Sequence, residues 1–417
     1  MTDLTRAYAE TLDAADPLAA FRDRFVLDPT VTYLDGNSLG RLPASTAERL
    51  RRAVEEEWGA GLIRSWADWM SLSAEVGDLI GTGILGARPG EVIVSDSTTV
   101  NLYKLAAAAL DARPGRRVVV IDDDNFPTDL YVFQGLAAQR GLELRIVHTD
   151  LDAGLDPGAL RAAVDTDVAL VSLSHVAYRS GALVDMAAIT RIAHDAGALT
   201  LWDLSHAAGS VPVPLSAAGA DLAVGCTYKY LNGGPGAPAF LYVRSELQAA
   251  LRQPIWGWFG QADQFTMGAR YDPVPGIARF TVGTPSVLAT YAVAEGARIV
   301  AEAGIGPLRA KGVALTSYLI ELADAVLAPL GFSVASPRDA ERRGAHVSLH
   351  HPAAWQVCQA LLHRNVVPDF RTPDRLRIGP APLYTRFADV WDGVDRLREI
   401  TASGAHRAYP GSRSRVT

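Results

Sequence analysis

The sequence predicts an α/β protein: a large domain built on a mostly parallel sheet with helices on both faces, plus a smaller α+β domain. Three observations carry this. From about Leu79 to Arg244, short β-branched runs alternate with alanine-rich helical stretches. The β-type runs are apolar almost throughout, as in strands buried on both faces, rather than alternating apolar and polar. The 417 residues, 49% hydrophobic and 20% charged, suit a large packed core that needs no disulfide or metal staple.

Taken in order, the strand candidates are Glu91–Ser95, Arg117–Asp122, Leu142–His148, Val168–Ser174, Leu199–Asp203, Leu222–Cys226 and Pro238–Val243. Helical patterns fall between most of them, at Val100–Ala112, Asp129–Arg140, Asp156–Val164 and Met186–Ala196. The last two strands, joined through a tight Gly-Pro segment, leave room for one antiparallel member. Ser45–Trp58 is amphipathic and helical, and Val287–Leu330 is a second, alanine-rich helical region. Shorter α+β material follows to Arg398, and 402–417 reads as a frayed tail. Residues 1–55 are assigned to the smaller domain as an N-terminal contribution, 56–290 to the large domain and 291–417 to the C-terminal small domain. The stretch Gln253–Pro285, rich in Trp, Gly and Pro, reads as an ordered loop region over a site.

The formal net charge of −7 argues against nucleic-acid and anionic-membrane partners, which need a basic face. Two cysteines, Cys226 and Cys358, exclude a disulfide framework and a Cys-based zinc site, and suit a reducing cytoplasm. The first residues lack the layout of a signal peptide, and no run of 18 apolar residues appears. A small-molecule enzyme of the cytoplasm is the expectation.

One pattern is discarded. Gly81 to Gly86 reads G-T-G-I-L-G, but a helix precedes it and a strand follows, the reverse of a dinucleotide fingerprint.

In parallel sheets ligands bind outside the carboxyl ends of the strands, and four strand ends stand out. Ser95 to Asn101 places Ser97, Thr98 and Thr99 at a helix start, which suits either a phosphate cradle or a plain hydroxyl cap. Asp122 to Asp129 opens with three acids, read as a solvated turn in preference to a metal site. Its Phe126-Pro127 pair could fix an aromatic ring against a planar ligand. Leu201 to His206 ends an apolar strand with Asp203, an acid that must either cap the next turn or meet a cationic partner such as a protonated ring nitrogen. Gly225 to Gly236 holds Lys229 among apolar, aromatic and glycine residues; it is either a snorkelling surface lysine or a desolvated amine of lowered pKa. Together, an acid for a pyridine nitrogen, a lysine for an aldehyde and a hydroxyl-rich helix start for a phosphate make a pyridoxal phosphate site.

With these residues in view, the chain resembles the fold-type I pyridoxal phosphate enzymes and, more closely, the kynureninase family. The resemblance runs from the segment Tyr33–Gly40 to Arg377–Tyr384. It includes Phe126–Asp129, Trp202–His206, Thr227–Asn232 and Gly257–Gly260. It implies pyridoxal 5'-phosphate as cofactor and a seven-stranded, mostly parallel sheet. The activity implied is hydrolytic Cβ–Cγ cleavage of L-kynurenine to anthranilate and alanine, with 3-hydroxykynurenine as a second substrate. Lys229 is implied to form the Schiff base and move the Cα proton, Asp203 to pair with the ring nitrogen and Phe126 to stack on the ring. Thr98, Thr99, Asp129, Ser174, His206 and Tyr228 are implied to complete the cofactor pocket. Tyr228 is a candidate proton donor or a phosphate ligand. Trp258 and Thr284 would reach the phosphate from the other subunit of a homodimer. Arg377 would hold the substrate α-carboxylate with its bidentate fork, and Asn37, Ser38 and Trp66 would border the aryl ring. Trp66 and the Gly283–Thr284 pair imply preference for kynurenine, although an apolar pocket rejects an added hydroxyl by only about a hundredfold.

Two other readings compete. A cysteine desulfurase or aminotransferase of the same fold would keep the cofactor, but a desulfurase is expected to carry a catalytic cysteine in a C-terminal loop. Cys358 instead falls in a helical apolar pattern and reads as core. A non-catalytic relative is expected to have lost the lysine, and Lys229 is present. His350 and His351 are read as structural, whereas His175, next to Ser174, could border the pocket.

Overall fold

Strands form where the continuous apolar runs predict them, because both faces of the sheet are covered. The computed structural model describes residues 4–411. A short strand, β1 (Thr32–Tyr33), precedes the main sheet. That sheet contains β2 (Val92–Val94), β3 (Val118–Asp122), β4 (Glu143–Val147), β5 (Val168–Ser174), β6 (Leu199–Asp203), β7 (Leu222–Gly225) and β8 (Phe240–Val243). Its seven strands lie in the order β2-β8-β7-β6-β5-β3-β4. β8 runs antiparallel to both β7 and β2, and every other pairing is parallel. Successive residues of one strand enter opposite cores: Val118 and Val120 pack on one face, Val119 and Ile121 on the other. This is why the runs read as continuously apolar.

Helices Thr98–Asp111, Pro127–Arg140 and Met186–Asp195 start within two residues of their expected positions, at caps supplied by Ser97, Phe126-Pro127 and Asp185. The N-terminal helical region is less regular than its pattern suggests. It is α-helical over Ala44–Arg52, widens to a π-helix over Ala53–Gly61 and tightens to a 3₁₀ turn before helix Trp66–Gly83.

A second sheet, β9 (Ser333–Val334), β10 (Val347–His350), β12 (Asp369–Arg371) and β13 (Arg375–Ile378), is antiparallel in the order β12-β13-β10-β9. A short β11 (Val366–Val367) pairs with β1 in parallel, so the N-terminal segment is built into the C-terminal part. By length and composition the helical run Ile305–Leu330, of mean hydropathy 1.5, would pass as a membrane span. Its Leu315, Leu319 and Leu327 are spent in the core beside Val347 and Ile378, and its Lys311 Nζ meets Asp16 Oδ2 at 2.6 Å.

The tail expectation needs correcting. Ala405–Ala408 forms a turn, His406 is buried, and the Tyr409 carbonyl accepts from Gln356 Nε2 at 2.8 Å. Only the part of the tail at 412–417 lies outside the described residues.

Two glycines bring the N-terminal segment onto the strand ends. The Gly40 amide donates to the Tyr228 carbonyl at 2.8 Å, and a Cβ on Gly40 would stand 2.3 Å from the Lys229 carbonyl. A Cβ on Gly379 would stand 1.7 Å from the Asn37 side chain. A side chain fits at neither place, so residues 36–40 pack closely against the Lys229 turn and the end of β13.

Candidate active site

The turns after β2, β3, β5, β6 and β7 meet around a cavity of about 210 Å³. Thr98, Thr99, Phe126, Asp129, Ser174, Asp203, His206, Tyr228 and Lys229 all line it. The strand register explains part of this: Ser174 at the end of β5 lies beside Asp203 at the end of β6. A roomier hollow, about 540 Å³, is walled by Arg252, Trp256, Tyr271 and their neighbours but has no lysine or histidine on its wall. The smaller cavity therefore holds the chemistry.

Lys229 is half-buried and turned into this cavity, not snorkelling to the surface. Its Nζ lies 3.1 Å from His206 Nε2 and 5.9 Å from the centre of the Phe126 ring. Burial lowers its pKa, and Cys226 and Asp203 oppose the shift. His206 is held well below its ordinary value by burial and by the charges of Lys229 and Arg377, so it is neutral. Asp203 Oδ1 accepts the Ser205 amide at 2.5 Å. Both carboxylate oxygens of Asp129 are buried without a hydrogen-bond partner. Burial and the nearby Asp203 carboxylate push the Asp129 pKa well up. The unpaired Asp129 carboxyl, beside Asp203, fits a ligand that brings a ring N–H or hydroxyl donor. The Cys226 thiol and burial raise the Tyr228 phenol pKa and keep it a proton donor. Ser97 caps helix Thr98–Asp111 by accepting the Val100 amide at 3.3 Å and also lines the cavity, so the cap and cradle readings are compatible.

Arg377 on β13 lies deeper. It is 1% exposed and absent from the cavity wall. Its Nε donates to Asp369 Oδ1 at 2.9 Å, and its Nη2 to Asp369 Oδ2 at 2.5 Å and to Ser38 Oγ at 2.8 Å. Its Nη1 reaches the Tyr178 carbonyl at 2.5 Å and His206 Nε2 at 3.5 Å. The Asn37 amide, with its oxygen turned toward the guanidinium, accepts from Nε at 2.7 Å. Burial opposes the charge of Arg377, and Asp369 more than offsets this. Arg377, Asn37 and Ser38 are thus brought together, joined to the cavity through His206.

Trp66, Trp258 and Thr284 do not line this chain's own cavity. Trp66 stands 6.1 Å from Trp258, edge to face, and Thr284 is exposed.

Cavity-lining residues that sequence reasoning did not single out are Thr128, Ser205, Gly236 and Ala237. All but Ala237, which directly follows the last segment, fall inside the four strand-end segments, so the segments carried the signal although no single residue did. His175 lies buried edge-on to Trp202 and off the cavity wall. His350 pairs with Asp374, and His351 stacks on Phe332, so both serve structure. The acids Asp122–Asp124 are not a solvated turn. Asp122 and Asp124 are buried, Asp124 pairs with Arg179, and Asp123 Oδ1 accepts the Thr149 amide at 2.8 Å. Among the described residues no cluster suits a metal ion.

The fold matches those of solved cysteine desulfurases. The Thermococcus onnurineus enzyme superposes with a TM-score of 0.80 at 21% identity, covering 92% of this chain and 98% of that one. The Escherichia coli enzyme CsdA superposes with a TM-score of 0.77 at 18% identity, covering 92% and 98%. At the strand ends of this fold a lysine, an acid and a histidine gather, the groups that a pyridoxal phosphate site calls for. Residues 308–397 match the family model described as the kynureninase C-terminal domain. Kynureninase from Pseudomonas fluorescens is 46% identical over 404 residues, 95% of each chain. Kynureninase from Burkholderia pseudomallei (strain K96243) is 46% identical over 412 residues, 97% of each. The chain belongs to the kynureninase family.

Asp122 yields a test. Burial and the neighbouring Asp124 raise its pKa from 3.8 to about 7. The folded state then holds a proton that the unfolded state has released, so stability falls as pH rises between these values. Asp122→Asn removes the titration. The variant is expected to gain on the order of 1–3 kcal/mol relative to wild type on going from pH 4 to pH 8. Equal differences at both pH values, measured by urea denaturation, would show that Asp122 does not carry this dependence.

Proposed function

We propose that this chain is a kynureninase: with pyridoxal 5'-phosphate it hydrolyses the Cβ–Cγ bond of L-kynurenine to anthranilate and L-alanine. The observation that carries it is the Lys229–His206–Asp203 cavity in a chain nearly half identical, end to end, to kynureninases. The bound cofactor supplies an electron sink for charge developing at Cα. Lys229 is the amine for the cofactor's aldehyde carbon, and its lowered pKa suits it to accept the Cα proton. Asp203 faces the ring nitrogen and Phe126 covers the ring. Thr98, Thr99 and the helix N-terminus behind them seat the phosphate. Asp129, Ser174 and His206 complete the pocket, and Tyr228 returns a proton. Arg377 attracts the substrate α-carboxylate, with Asn37 and Ser38 beside it.

We assign Trp66, Trp258 and Thr284 to the neighbouring site of a homodimer. They stand off this chain's cavity, and the surface near them exposes Trp256, Phe265, Ile63 and Leu62. Trp66 would then border the aryl ring, which favours kynurenine over its hydroxylated form, and the cytoplasm is the proposed location.

A desulfurase reading is disfavoured by the thiols. The only two cysteines are buried, Cys226 beside Ser205 and Cys358 within helix Ala354–Leu362.

Incubation with pyridoxal phosphate and L-kynurenine is expected to release fluorescent anthranilate. No anthranilate from protein that retains its cofactor absorbance would refute the function. Lys229→Ala is expected to abolish both the lysine–cofactor absorbance band and turnover. Arg377→Lys keeps the charge facing Asp369 but loses the fork, so KM should rise by about 10–100-fold with the band retained. Loss of the band in that variant would remove Arg377 from the substrate role. For the dimer, sedimentation of the loaded enzyme as a monomer at micromolar concentration is the contrary result.

A further inference from the structure

One buried cation lies outside the machinery described so far. Lys104, on the second turn of helix Thr98–Asp111, is wholly buried. Its Nζ donates to Asp96 Oδ2 at 2.5 Å and to the Phe280 carbonyl at 2.7 Å. Asp96 is held in the left-handed region, with φ +49, on the turn between β2 and this helix. Its carbonyl accepts the Ala239 amide at 2.8 Å, and its carboxylate also accepts Ser95 Oγ at 2.7 Å. The next three residues, Ser97, Thr98 and Thr99, line the cofactor cavity.

A fixed carboxylate beside a phosphate seat is an electrostatic fault, because two anions in a partly desolvated site repel. A buried lysine without a counter-charge is equally costly. The pairing answers both problems. We propose that Lys104 is a positioning residue for the cofactor phosphate, cancelling the Asp96 carboxylate that would otherwise repel it from the Ser97–Thr99 turn. The Phe280 contact adds an anchor to the segment that carries Thr284. The inference rests on the phosphate seat assigned above.

The test separates the phosphate from the rest of the cofactor. The full-length enzyme is stripped of cofactor and retitrated with pyridoxal phosphate or with pyridoxal, which lacks the phosphate, by absorbance. Lys104→Met is expected to weaken pyridoxal phosphate by about tenfold and pyridoxal by less than about twofold. Adding Asp96→Asn to that variant should restore most of the loss, and Asp96→Asn alone should not weaken pyridoxal phosphate. Should Lys104→Met fail to fold, Asp96→Asn and the double variant decide the matter. Equal weakening of both ligands by Lys104→Met, a double variant as weak as the single, or loss of pyridoxal phosphate binding in Asp96→Asn would overturn the proposal. Thr99→Val serves as the control for the seat: a phosphate-selective loss there, with none in Lys104→Met, defeats the inference alone. No selective loss in either variant defeats the seat as well.

Discussion

The site depends on the desolvation of one ammonium group. Lys229 is reached by no charged partner strong enough to keep its pKa at the ordinary lysine value, and burial lowers it. That burial is a product of the architecture. A parallel sheet sends several strand ends to one edge, and the turns that follow surround the cavity. Burial likewise lowers the His206 pKa and, with the nearby Asp203 carboxylate, raises that of Asp129, while Cys226 and burial raise that of Tyr228. Desolvation thus moves four groups of one cavity in the same sense, each toward its uncharged form.

Long-range contacts join the chain beside that cavity. Residues 36–40 arrive from the N-terminal end and touch both the Lys229 turn and the β13 hairpin. The β1–β11 pairing and the Asp35–Gly379 bridge fix this segment to the C-terminal sheet. The N- and C-terminal parts are therefore joined beside the candidate site, although more than 300 residues separate Asp35 from Gly379.

The sequence made the main sheet legible because strands buried on both faces are apolar without interruption, and each candidate residue of the cavity ends such a strand or follows it by a few positions. Asp203, Lys229 and Thr98 could be found for that reason. Residues whose meaning comes from distant partners were less legible. Nothing near Lys104 marks it as the partner of Asp96 and Phe280, and nothing near Asp369 shows that it occupies Arg377. Asp122–Asp124 looked like a solvated turn because three adjacent acids normally are; Arg179, more than 50 residues away, makes burial of Asp124 possible. The π-helical stretch Ala53–Gly61 was equally hidden, since an amphipathic pattern does not distinguish a widened turn from a regular one.

The guanidinium of Arg377 already has an acceptor in every direction: Asp369, Ser38, Asn37, the Tyr178 carbonyl and His206. A donor set with no vacancy recognises by exchange. An arriving carboxylate must evict a neutral acceptor, and what it gains is the difference between the two bonds. Asp369, ionised and opposite the fork, is the member that cannot be evicted cheaply, so it would hold the arginine in register while the weaker acceptors yield. Discrimination at such a point depends less on how tightly the ligand is held than on which resident it can replace.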